Sequence, residues 1–231
     1  MTKFFIGTAG WSYLRWDKDF YPKATQADEK LAFYSSQFNA VELSNSFYHT
    51  PSPEQYLTWQ HEVPANFLFS VKASRFITHI KRLKDAEDTL PPFLETISLK
   101  RKNPVFFQLP PSFSINLERL TRFLTKLPKG RRYAIELHNP SWHTDEVYAL
   151  LSKHKVAFCL YDTPEGVAPR QLTANFAYVR LRGRCEVNQK AFFREWKNWL
   201  NANTPEAFVF FNNRGNKSLA FGNALRFKEI A

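Results

Sequence analysis

The sequence predicts an α/β protein, a single closed (β/α)8 barrel of TIM type over residues 1–231, and three observations carry that prediction. Short β-rich runs alternate with longer helical patterns, as repeated βα units around a parallel sheet require. The β-rich runs number eight, and a chain of 231 residues matches the roughly 200 to 250 that such a barrel needs. No Gly, Ser or Pro run long enough to act as a flexible linker divides the chain, so one domain is expected. An open, doubly wound sheet built from the same elements is the alternative.

In chain order the strands are expected at Phe4 to Gly7, Ala40 to Leu43, Leu68 to Lys72, Val105 to Gln108, Tyr133 to Leu137, Ala157 to Leu160, Tyr178 to Leu181 and Phe208 to Phe211. Between them, apolar residues recur at helical spacing: Leu31, Tyr34 and Phe38, then Leu117, Leu120, Leu124 and Leu127, and later Phe192, Trp196 and Trp199. The stretch from Thr163 to Asn175 holds Pro164, Gly166 and Pro169, so one short or missing helix is expected around 163–175.

With 44% hydrophobic and 23% charged residues, the composition is that of a globular protein and excludes disordered, collagenous and fibrous classes. A formal charge of +11 makes the surface attractive to phosphates, nucleic acid or anionic metabolites without naming a ligand. Cys159 and Cys185 form no C-x-x-C pair, which argues against a disulfide framework or zinc knuckle and fits a reducing cytoplasm. Residues Met1 to Gly10 lack a cleavage-like region, and no apolar stretch reaches about 18 residues, so a cytoplasmic protein without a membrane partner is expected.

Because successive strand side chains point to opposite faces, each strand divides by parity. One set is apolar, with Phe69 and Val71, Ile135 and Leu137, Val179 and Leu181, and suits the helix-facing outside. The other set ends in Glu42, Lys72, Gln108, Glu136 then His138, Asp162, Arg180 then Arg182, and Asn212. Unpaired ionised groups deep in a packed barrel cost several kcal/mol, so these residues are expected at the mouth formed by the strands' C-terminal ends, where barrel enzymes keep their chemistry.

Basic residues fall in two places. Lys100, Arg101 and Lys102, then Lys129, Arg131 and Arg132, and Lys153 with Lys155 follow helices, which places them on the opposite face, where they complement helix C-termini. Lys72, Arg75, Lys81, Arg82, Lys84, Arg180, Arg182 and Arg184 follow strands and ring the mouth. After the eighth strand, Asn212-Asn213-Arg214-Gly215-Asn216-Lys217-Ser218 reads as a turn into a helix that Ser218 caps, the place where barrels often bind phosphate. The same residues are also ordinary turn formers. Trp11, Tyr13, Trp16, Phe20 and Tyr21, with Phe47 and Tyr48, are rings for stacking on a sugar or base, or a small core folded over the mouth.

The blocks Ile6-Gly7-Thr8-Ala9-Gly10-Trp11, Val41-Glu42-Leu43-Ser44-Asn45-Ser46-Phe47-Tyr48, Phe69-Ser70-Val71-Lys72, Gln108-Leu109-Pro110-Pro111-Ser112-Phe113 and Phe211-Asn212-Asn213 resemble the YecE-like family, domain of unknown function 72. The resemblance implies a TIM-type barrel and no settled reaction. It also covers Thr78-His79, Glu136, Asp162 and Arg180. The family's fifth-strand block reads Glu-x-Arg-His before Pro-Ser-Trp, and its seventh-strand block commonly reads His-Gly-Arg. Here the stretches are Glu136-Leu137-His138-Asn139 and Arg182-Gly183-Arg184, two departures that bear on specificity.

Three functions compete. The first is an enzyme acting on a phosphate- or carboxylate-bearing small molecule, with Glu42, Lys72, Glu136 and Asp162 as catalytic candidates. Trp11, Tyr48, His79, Gln108, His138, Arg180, Arg182, Asn212 and Asn213 are its binding candidates. Lys72 acts in it through its charge in preference to a Schiff base. The second is a metal-dependent phosphodiesterase using Glu42, His79, Glu136, His138 and Asp162; no H-E-x-x-H spacing supports it, so the cofactor stays open and a divalent metal is not favoured. The third is a nucleic-acid-binding module without catalysis, for which no helix-turn-helix, zinc-finger or RNA-recognition signature exists. On this reading Glu136→Gln and Lys72→Met abolish ligand binding and leave stability nearly unchanged. The oligomeric state is open.

Overall fold

The computed structural model describes residues 1–97, 99–182, 189–212 and 218–231. Nine strands occur among them: β1 Lys3–Thr8, β2 Ala40–Leu43, β3 Leu68–Lys72, β4 Val105–Leu109, β5 Tyr133–Leu137, β6 Val156–Thr163, β7 Gly166–Val167, β8 Ala177–Leu181 and β9 Glu206–Phe211. All except β7 pair in parallel, in the order β1-β9-β8-β6-β5-β4-β3-β2. The result is an α/β fold with a nearly closed eight-stranded parallel barrel. Around it pack α1 Trp16–Asp19, α2 Lys30–Gln37, α3 Pro53–His61, α4 Ala86–Thr96, α5 Leu117–Thr125, α6 Asp145–Lys153, α7 Gln189–Asn203 and α8 Ser218–Ile230.

Local chemistry starts several helices where the chain needs them. Ser52 caps α3 by accepting from the Gln55 amide, with Pro53 in its first turn. Asn116 caps α5 through the Arg119 amide at 2.9 Å, and Thr144 caps α6 through that of Val147. Each then buries one stripe: Leu120, Phe123 and Leu124 on α5, and Phe193, Trp196 and Leu200 on α7. Between β6 and β8 no helix forms, in line with the short or missing helix expected around 163–175. The strand runs on through Thr163 and turns back, with Thr163 paired antiparallel to Gly166, because Pro164 and Pro169 flank a segment too short and too broken to wind.

Strand alternation builds two apolar layers. Phe5, Leu68, Phe106, Tyr178, Phe208 and Phe210 fill the inside of the barrel. Ile6, Phe69, Val71, Phe107, Ile135 and Val179 belong to the larger core between barrel and helices. Among the described residues, no helix is long and apolar enough to cross a membrane.

Closure differs from expectation at the seam between β1 and β2. No ladder joins them; the contact is one isolated bridge, Ala9 to Glu42, with the Gly10 amide donating to the Glu42 carbonyl at 2.8 Å. Side chains replace the remaining ladder. Asn39 Oδ1 accepts from the Ile6 amide at 2.7 Å while Asn39 Nδ2 donates to the Phe4 carbonyl at 2.8 Å. The Tyr34 hydroxyl accepts from the Thr8 amide at 2.8 Å and donates to the Ala40 carbonyl at 3.2 Å. Gly7 is required here, since a Cβ would lie 1.9 Å from the Ala40 oxygen. Tyr34→Phe leaves that buried amide and carbonyl without a partner, and is expected to cost about 1–3 kcal/mol by denaturant unfolding.

Candidate functional site

Glu42 ends up on β2, Lys72 at the end of β3, Gln108 on β4, Glu136 on β5 and Arg180 on β8, all with inward parity late in their strands. His138 and Arg182 follow immediately after β5 and β8. The parallel register sets Gln108 beside Glu136. Seven residues from distant parts of the chain therefore gather at one end of the barrel, as parity requires.

Their contacts form one network. Arg180 spans the barrel: Nη1 donates to Glu136 Oε2 at 2.8 Å and Nη2 to Glu42 Oε1 at 2.9 Å, with the guanidinium 4.7 Å above the Phe106 ring. Glu136 Oε1 takes three further partners: Arg182 Nη2, Gln108 Nε2 at 2.5 Å and His138 Nε2 at 2.5 Å. Glu42 is completed by Ser44 at 3.0 Å and by the Tyr178 hydroxyl at 2.9 Å, which itself meets Ser70 at 2.7 Å. Cys159 lies 3.5 Å from Glu136 Oε2, its thiol pushed well up by burial and by that carboxylate.

Both carboxylates are fully buried and engaged. Burial alone would raise the Glu136 pKa, yet Arg180 and Arg182 outweigh it and hold the group well below the usual 4.5. The stability it contributes is therefore present above that value and lost only as pH falls through the depressed one. Glu42 is thus held by Arg180, Ser44 and Tyr178, and Glu136 by Arg180, Arg182, Gln108 and His138.

Lys72 is different. Its ammonium donates to Gln108 Oε1 at 2.7 Å and sits 4.1 Å over the Phe47 ring, and among the described residues it has no carboxylate partner within 4.0 Å. Burial, with Arg180 nearby, lowers its pKa to about 8. Beyond it a single π-helical turn, Phe76–Ile80, carries His79 into edge-on contact with Phe47 at 4.9 Å. Burial and Lys72 bring His79 to about 4, so the imidazole is neutral at ordinary pH.

The aromatic candidates separate. Tyr48 is 73% exposed and packs its edge on Phe47. Trp11 meets Trp59 edge-on at 5.1 Å and lines a hollow of about 100 Å³ with Gly10, Tyr13, Ser44 and Pro51; Ser44 joins that hollow to Glu42. Trp16, Phe20 and Tyr21 instead form the small core beneath, in mutual ring contacts.

Asp162 is not on the inward face. It pairs in register with Leu181, which packs toward the helices, whereas Tyr161 pairs with the inward Arg180 and its ring stands 4.7 Å from His138. The alternation on β6 is set by Cys159 facing in, which shifts every later residue by one from the expected reading. Asn212 continues the inward parity of Phe208 and Phe210, and its amide donates to the Leu181 carbonyl at 3.0 Å. Asn213, with the rest of the Asn-Arg-Gly-Asn turn, the Ser218 side chain expected to cap the following helix, and Arg184 and Cys185 lie outside what the structure describes. Glu42, His79, Glu136, His138 and Asp162 do not assemble a cation site: among the described residues no three His, Cys, Asp or Glu groups converge closely enough to hold a metal. Tyr178, Ser70 and Cys159 went unnoticed in the sequence, although each sits two residues before a polar position on an inward strand face or on that face itself.

A family model described as "Protein of unknown function DUF72" matches residues 5–231. The chain belongs to the DUF72 family. Among DUF72 relatives, the UPF0759 protein YunF of Bacillus subtilis (strain 168) is 30% identical over 256 residues, covering 90% of this chain and 88% of YunF. The UPF0759 protein YecE of Escherichia coli (strain K12) is 30% identical over 141 residues, covering 60% of this chain and 49% of YecE. A crystal structure of a DUF72 protein from Thermotoga maritima MSB8 superposes with a TM-score of 0.78 at 27% identity, covering 99% of this chain and 98% of that one. Another from Enterococcus faecalis V583 reaches 0.78 at 21% identity, covering 100% and 98%, and shows the fold alone.

His138 and Arg182 meet in space. His138 Nε2 and Arg182 Nη2 are 3.4 Å apart and both engage Glu136 Oε1, so the two side chains share one acceptor. The double change His138→Arg with Arg182→His is accordingly expected to keep a higher melting temperature than either single change. Glu136→Gln, in contrast to the stability-neutral effect the sequence implies, leaves two buried guanidinium groups short of a counter-charge; a loss of about 3–5 kcal/mol is expected in denaturant unfolding.

Proposed function

We propose that this DUF72 protein is an enzyme that binds a phosphate- or carboxylate-bearing small molecule at the C-terminal mouth of its barrel, with Lys72 as the group that meets the anion and exchanges a proton. The observation that carries this reading is the charge of the cluster. Three cations, Lys72, Arg180 and Arg182, face two carboxylates, Glu42 and Glu136, and both carboxylates are taken by the arginines. One positive charge is left over, on the half-buried Lys72 ammonium, and a ligand anion would balance it.

Gln108 keeps that charge available. By standing between Lys72 and Glu136, with its carbonyl accepting from one and its amide donating to the other, it prevents a direct ion pair. A lysine held near neutral pH by burial is suited to proton transfer, and once neutral it is a nucleophile. The Trp11 hollow, joined to Glu42 through Ser44, offers an apolar wall for the uncharged part of the same ligand.

A second reading, a nucleic-acid ligand, has one feature in its favour. Phe76 is exposed beside Arg75, Lys81 and Arg82 on the rim after β3, a ring among cations as single strands favour.

A thermal-shift screen of sugar phosphates, anionic metabolites and short oligonucleotides tests the proposal. Because the Lys72 ammonium is present below about pH 8 and lost above it, affinity for the anionic ligand is expected to fall as pH rises through that value. Lys72→Met is expected to weaken binding about tenfold or more and to abolish this pH dependence. The free variant should melt no lower than the parent, since a buried ammonium costs desolvation. A small anion whose affinity ignores both pH and Lys72→Met would refute the assignment, and steeply salt-dependent binding of oligonucleotides alone would favour the second reading.

A further inference from the structure

We propose that the opposite, N-terminal face of the barrel carries a second anion site, for a compact ligand bearing several phosphate groups, in the hollow between the ends of α5 and α6. The inference stands apart from the reading of the mouth. The hollow has a volume of about 710 Å³, within the roughly 300–1,000 Å³ range of small-molecule sites. Lys129, Arg131, Arg132, Lys153, His154 and Lys155 line it, from the loop that leads into β5 and from the end of α6 and the loop that follows it into β6.

Most of this charge is unmatched. Arg132 is paired with Glu206, whereas Lys129, Arg131, Lys153 and Lys155 form no ion pair among the described residues. The simplest alternative is that these cations answer the negative ends of α5 and α6, both of which terminate here. Each helix end is equivalent to about half a negative charge, so the two together offset roughly one of the four cations. The acidic residues of the same helices do not help, because Glu118, Asp145 and Glu146 occupy the first turns at the other face.

Two local features point to a ligand beyond charge alone. Arg131 Nη1 is buried with no hydrogen-bond partner among the described residues, while its Nη2 makes only a 3.5 Å contact with the Leu99 carbonyl. A buried guanidinium donor left unmade is costly, and a phosphate oxygen is the acceptor it fits. Lys155 takes a left-handed φ of 56° directly after the end of α6, a position where glycine is the usual residue. A lysine there keeps a cation at the rim at a conformational cost. The cations line one concave hollow, the shape that holds a compact ligand.

Isothermal titration of the Lys72→Met protein with inorganic tripolyphosphate, at constant ionic strength, isolates this face from the mouth. Saturable binding at one site is expected, with Arg131→Gln and Lys153→Gln each weakening it about tenfold or more. Lys155→Gly is the separating variant: it should weaken binding and also raise the melting temperature of the free protein by removing the left-handed strain. A lysine that serves only the end of α6 would leave the affinity unchanged. Failure of saturable binding, or affinity indifferent to all three substitutions, overturns the proposal. So does a single-stranded oligonucleotide that binds this face more tightly than tripolyphosphate and is weakened by the same changes.

Discussion

Arg180 is the residue on which the upper half of the barrel depends. Its guanidinium is buried, lies over Phe106, and reaches from β8 to carboxylates on β5 and β2 at 2.8 and 2.9 Å. A charge placed there without partners would be expelled or would unfold the site, so Arg180, Glu42 and Glu136 have to be present together. Their mutual contacts also tie β2 toward the far side of the barrel. That restraint matters because β2 borders the seam, where β1 offers it one bridge and side chains from Asn39 and Tyr34 substitute for a ladder.

The same interaction organises the charged groups around it. Both buried carboxylates are committed to arginines, and Glu136 in addition holds His138 and Gln108. The cluster therefore works as an ionic scaffold whose surplus charge surfaces at Lys72, between the Phe47 ring and the Gln108 carbonyl. His138 and Arg182 belong to that scaffold.

The two ends of the barrel carry positive charge for different physical reasons. At the mouth, cations neutralise buried carboxylates and leave a small excess in a low-dielectric setting, where each unit of charge counts strongly. At the N-terminal face they are mostly exposed on loops and gain strength from number and concavity.

The eight barrel strands were legible because strand segments in a parallel barrel are short, apolar and regularly spaced: β2, β3 and β5 have the bounds read from their composition. Parity likewise assigned Glu42, Lys72, Gln108, Glu136 and Arg180 to one face, since alternation is a property of the chain itself. It failed on β6, where only the packing of Cys159 inward determines which alternate set faces the axis, and so Asp162 was misplaced. Incomplete closure and the pairing of Glu42 and Glu136 with Arg180 were equally invisible in the sequence. Both arise from contacts between residues tens to more than a hundred positions apart, Gly7 against Ala40 and Arg180 against Glu42, whose distances exist only once the strands are wrapped around a common axis.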